Sequence, residues 1–136
     1  MKYRVLKIEK CAITSFLDLQ NMESGTEEKN CFDDSRAFGY KDFSFMEEGG
    51  VYDCKLALLG EFVDKADQFT KQVRILERNI AVGTWLFLKA SIGRDIYYIP
   101  EADANNLDIQ PVMQYSFTRK DLIQVDDVIH PDCLSK

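Results

Sequence analysis

Apolar and polar positions alternate along much of this chain, and where the pattern is clear its period is close to two. Residues 51–62, VYDCKLALLGEF, are the most regular stretch. Tyr52, Cys54, Leu56, Leu58, Gly60 and Phe62 fall on one face, with Val51, Asp53, Lys55, Ala57, Leu59 and Glu61 on the other. A helical stripe through 52, 55, 56, 59 and 63 would bury Lys55 and leave Leu58 and Phe62 outside, so the period predicts a strand. Residues 3–19 are rich in β-branched and aromatic types and lack Gly and Pro. They read as one long strand, or as two strands meeting at a bend near Lys10.

The alternation fades over residues 20–41, which are polar and acidic and are punctuated by Gly25 and Gly39. They read as a long loop with room for a short helical turn. DFSFME at 42–47, then Gly49-Gly50, then the 51–62 strand predict a hairpin. Asp64 is placed to cap one or two helical turns over 64–71. Residues 72–76 alternate, 77–83 read as a turn, and 84–91 as a strongly apolar strand. In IGRD, Gly93 stands at the first central position of a two-residue loop, as a type II′ turn prefers. The return strand 96–99 ends at Pro100, a polar loop follows over 101–108, and 112–117 read as another strand. Residues 118–130 fit a helix through Leu122, Val125 and Ile129, or a strand through Ile123, Val125 and Ile129.

These elements predict a mainly β fold: a small antiparallel β-barrel with one or two short helices, in one domain spanning 1–136. Strands up to Phe62, a helical piece, then further strands resemble the order of an OB-fold. An SH3-like barrel or a small sandwich accommodates the same strands.

Charge alters the picture in one place. The net charge is −6, and residues 21–50 carry eight acids against Lys29, Arg36 and Lys41, a balance of −5. Nonspecific polyanion binding draws its affinity from Lys and Arg, so this balance works against nucleic acid. It suits a basic protein partner instead. The N-terminus interleaves charges with apolar residues, and the chain has neither an h-region nor an apolar run of membrane-spanning length. The expectation is a cytoplasmic protein with no membrane role. Its four cysteines (Cys11, Cys31, Cys54 and Cys133) form no C-x-x-C pair and are expected as reduced thiols.

Candidate chemistry is sparse. There is one histidine and no short ligand pair to seed a tetrahedral zinc site, and no calcium-loop spacing occurs, so no metal and no cofactor is expected. The acid pairs Glu27-Glu28, Asp33-Asp34, Glu47-Glu48 and Asp126-Asp127 read as solvated faces, because catalytic carboxyls need environments that separate their pKa values. His130-Pro131-Asp132 matches the signature tripeptide of J-domain co-chaperones. That loop joins two long helices, whereas only six residues follow His130 here, so the match reads as coincidence. His130 with Cys133 would make a nucleophilic pair only if the thiol were activated and the geometry fixed.

The hairpin over 84–99 offers more. Leu86, Leu88 and Ala90 should share a face with Tyr97 and Ile99, while Trp85 and Phe87 share the other with Ile96 and Tyr98. A barrel wall has one interior, so the second face is either covered or a recognition surface. The function expected is a non-enzymatic binding module, in a protein-interaction, inhibitor or accessory role. Trp85, Phe87 and Tyr98 would be its anchors, with Glu23, Glu27, Glu28, Asp33 and Asp34 steering a basic partner. Two alternatives remain: single-stranded nucleic acid stacked on the aromatic face, or an enzyme using a cysteine or a carboxylate pair.

Overall fold

The computed structural model describes residues 1–38 and 41–134, and its fold is mainly β. The strands are β1 (Lys2–Cys11), β2 (Thr14–Asn21), β3 (Glu27–Asp33), β4 (Val51–Phe62), β5 (Thr70–Val82), β6 (Trp85–Ile92), β7 (Asp95–Pro100), β8 (Val112–Val125) and β9 (Val128–Ile129). Three 3-10 turns, Ser35–Phe38, Glu101–Ala104 and Pro131–Leu134, are the helical elements among the described residues.

All nine strands belong to one sheet that closes on itself. β1, β2 and β3 form an antiparallel meander. β3 meets β8 in parallel at Phe32 and Asp121, β8 runs antiparallel to β4, and β4 returns to β1 through residues 51–53. A second circuit leaves β4 in parallel at Ala57 and Tyr98, passes through β7, β6 and β5, and rejoins β8. The β4–β8 ladder is therefore common to both circuits. Its middle is buried on both faces, at Leu56 and Leu58 on one and Ala57 with half-buried Leu59 on the other, which explains why residues 56–59, LALL, are apolar without interruption.

One face of the sheet encloses the main core. Cys54, Leu56 and Leu58 of β4 meet Leu17, Leu19, Leu88, Ile99, Tyr115 and Leu122 there. Tyr52 and Phe62 pack at its margin, as their shared face with Cys54 predicts. A smaller core lies on the opposite face, formed by Ala57, Val82, Phe87, Tyr98 and Ile123 and covered by Cys133. Gly60 sits at a register shift in β4, where a Cβ would lie 1.8 Å from the Ser116 carbonyl oxygen. Only glycine lets the two backbones pass so closely.

Several expectations change. Residues 20–41 are not one loop, because β3 runs through them; Gly39 lies outside the described residues. Residues 42–47 form no strand, since Phe43 and Met46 turn inward to plug the main core, and no hairpin forms at Gly49-Gly50. No helix forms over 64–71. Asp67 Oδ1 instead accepts the Phe69 N–H and the Thr70 hydroxyl in a local turn that competes with a helical start. The turn signal at 77–83 is a bulge within β5, where Asn79 takes φ +56° and its N–H donates to Glu101. Residues 118–125 are strand. The turn at 93–94 matches expectation: Ile92 pairs with Asp95, Gly93 has φ +59°, and Arg94 stays at negative φ.

Candidate functional site

The face pattern expected for the 84–99 hairpin holds at Leu88 opposite Ile99 and Ala90 opposite Tyr97 on the core side, whereas Leu86 of the same face is exposed. On the other side Phe87 and Tyr98 are 1% and 9% exposed, and their rings meet edge to face at 6.4 Å. Their cover is the C-terminal segment. Thr84 donates from both its N–H (2.6 Å) and its hydroxyl (3.0 Å) to the Cys133 carbonyl, which pins the last 3-10 turn to the β5–β6 connection. Gly83, at φ +61°, allows this approach, because a Cβ there would lie 2.2 Å from the same oxygen.

The cover is incomplete. Between it and the hairpin lies a cleft of about 180 Å³ lined by Trp85, Phe87, Ala57, Leu59, Pro100 and Ile123, with Asp34, Arg119, Asp121, His130 and Asp132 completing its wall. Trp85 is 42% exposed and keeps its indole at the surface. The wall holds the carboxylates of Asp34, Asp121 and Asp132 and one guanidinium, that of Arg119.

His130 organises the acidic side. The ring is buried among the edges of Phe38 and Phe43, at 5.5 and 6.0 Å between centroids. The Asp132 peptide N–H donates to Nδ1 at 3.0 Å. The ring proton therefore sits on Nε2, which donates to Asp34 Oδ1 at 2.6 Å. Both nitrogens are engaged, so neither serves Cys133, whose thiol burial pushes up to about 11. A donor atom from each of Asp34, His130 and Asp132 lies within 4.8 Å of the others. A cation at Nε2 would force the ring proton onto Nδ1, against the Asp132 N–H, so the hydrogen bonds fit this cluster better than a metal does.

Arg119 and Asp121 form the opposite part of the wall. The guanidinium bonds both carboxylate oxygens, at 2.6 and 2.8 Å, and lies 4.3 Å over the Phe32 ring. Burial raises the Asp121 carboxyl above the usual range even with Arg119 bound to it.

The structure thus brings Trp85, Phe87 and Asp34 together at one cleft, with Tyr98 behind Phe87. The other expected acids lie elsewhere. Glu23 and Glu27 are exposed on the β2–β3 side. Glu28 points into the main core, where it accepts from Tyr97 Oη and, at 2.7 Å, from Lys120 Nζ. Asp33 is buried and accepts the Ser35 N–H at 2.8 Å. Asp132 entered the sequence reading only within the His130-Pro131-Asp132 tripeptide, while Arg119 and Asp121 did not stand out; their Arg-x-Asp spacing was the one available signal.

The cysteines are unpaired: Cys11 is exposed, while Cys31, Cys54 and Cys133 are buried. Desolvation pushes Cys31 and Cys54 up to about 12, which makes them poor nucleophiles. No helix among the described residues is long and apolar enough to cross a membrane. No family model matches this chain, and neither the curated proteins nor the solved structures contain a match to it.

Proposed function

We propose that this protein is a non-catalytic binding module that docks a basic protein segment at the Trp85 cleft. One observation carries the reading: an apolar cleft with a half-exposed tryptophan in its wall and carboxylates outnumbering the guanidinium. Aromatic anchors beside an apolar floor suit a protein interface. The negative wall favours cations and repels a phosphate backbone, which ranks peptide above single-stranded nucleic acid. The circuit through β1, β2, β3, β8 and β4 supports an OB-like barrel as the scaffold, with β5–β7 added beside it. Four unpaired thiols suit a reducing, cytoplasmic setting.

The test is fluorescence anisotropy with short dye-labelled peptides, arginine- and lysine-rich or acidic, and a mixed single-stranded oligonucleotide. The basic peptides should bind, weaken as salt rises, and lose affinity with the Asp34→Asn/Asp132→Asn double variant. Binding of the oligonucleotide alone, or of no probe, would overturn the reading.

A further inference from the structure

The cleft's volume narrows the kind of contact it makes. Small-molecule sites usually occupy about 300–1,000 Å³, and this cleft is below that range. It matches a single long side chain better than a cofactor. The floor is apolar, formed by Leu59, Phe87 and Ile123, while the wall carries carboxylates. An apolar stem with a cationic head is the side chain that satisfies both.

Resting on the docking function above, we propose that the cleft captures one arginine side chain of the partner, its stem on Leu59 and Phe87 and its guanidinium at the Asp34 carboxylate beside Trp85. Arginine is favoured over lysine because its planar, weakly hydrated head stacks on aromatic rings and pairs with carboxylates through two bonds. Arg119 of the cleft wall shows the same preference within the protein, since it pairs with Asp121 through two bonds and lies over the ring of Phe32, outside the cleft. His130 acts as the positioning residue for this site. Its Nε2–H holds Asp34 at the end of β3, and the Asp132 N–H holds its Nδ1, so one buried ring ties the C-terminal turn to the segment that bears the Asp34 carboxylate.

The experiment is a citrulline scan of an arginine-rich peptide that binds, read by anisotropy. Citrulline keeps the shape of arginine and removes its charge. One position should lose about tenfold or more in affinity while the others change by less than about twofold, as one dominant anchor requires. Lysine at that position should recover only part of the loss. Asp34→Asn keeps an acceptor for His130 and removes the charge, so it should shrink the arginine-over-citrulline preference at that position alone. Trp85→Phe should weaken the anchored peptide with no loss of fold. If every position costs the same small factor, docking stands but single-arginine capture is overturned. If no basic peptide binds, the docking function falls and this inference with it.

Discussion

Gly83→Ala should release the C-terminal cover without unfolding the protein. Two costs add. Alanine at φ +61° takes a left-handed backbone, at about 1–2 kcal/mol. Its Cβ would also stand 2.2 Å from the Cys133 oxygen and 2.9 Å from the Cys133 carbonyl carbon, so the backbone of the turn must move. Moving it breaks both Thr84 hydrogen bonds to that oxygen, about 1 kcal/mol each. The sum is about 3–4 kcal/mol, less than the stability of most domains but concentrated on one short segment. Local opening therefore precedes global unfolding. The assay is thiol reaction with an aromatic disulfide at mildly alkaline pH, with the modified residues identified by mass spectrometry. In the parent protein Cys11 should react fast and the three buried thiols slowly. In the variant Cys133 should join Cys11, while Cys31 and Cys54 stay slow. Unchanged Cys133 kinetics would refute the clamp at Gly83. Simultaneous exposure of all three buried thiols would refute the local nature of the cover.

Other outcomes follow from the interior. Lys120→Met strands the Glu28 carboxylate in the core with one cationic donor removed, and should cost about 3 kcal/mol in urea unfolding. That value is the low end of the usual range because the Lys120 side chain is one-fifth exposed, and adding Glu28→Leu should return part of the loss. Gly60→Ala forces a Cβ to within 1.8 Å of the Ser116 oxygen and should lower stability by about 3 kcal/mol, detected as a fall in the urea midpoint. Stability should also fall as pH rises above about 9. Cys31 and Cys54 keep their protons up to about 12 when folded and Cys133 to about 11, against 9.0 for an ordinary thiol. The unfolded chain therefore loses protons first and is favoured progressively between those values. Buried Tyr3, Tyr97 and Tyr115, all raised by desolvation, act in the same direction. A urea midpoint independent of pH from 8 to about 10.5 would contradict this.

Local periodicity made β4 and the 84–99 hairpin legible, because each has one face in the main core and its side chains alternate accordingly. It failed at β3, where the inward positions are Glu28, Cys31 and Asp33. Acids at inward positions imitate a solvated loop, and the groups that satisfy Glu28 come from Tyr97 and Lys120, far along the chain. The 42–47 segment is apolar for the opposite reason: Phe43 and Met46 enter the core from a turn, with the Phe43 N–H held by the Ser35 hydroxyl. At the candidate site, Trp85, Phe87 and Asp34 could each be chosen on type alone. Their meeting could not, since it depends on His130 joining the C-terminal turn to the end of β3. Cys54 shows the reverse case. Its period-two neighbours imply burial, and the core surrounds it.

The central claim is that a cation enters the cleft walled by Trp85, Asp34 and His130. Two-dimensional NMR of the folded protein during titration with an arginine-rich peptide tests it most directly, using the indole N–H of the single tryptophan and the imidazole of the single histidine as reporters. Both resonances, with the Asp34 and Asp132 amides, should shift along one saturable curve. Shifts confined to the exposed Glu23 and Glu27 side, with Trp85 and His130 unmoved, would contradict the account.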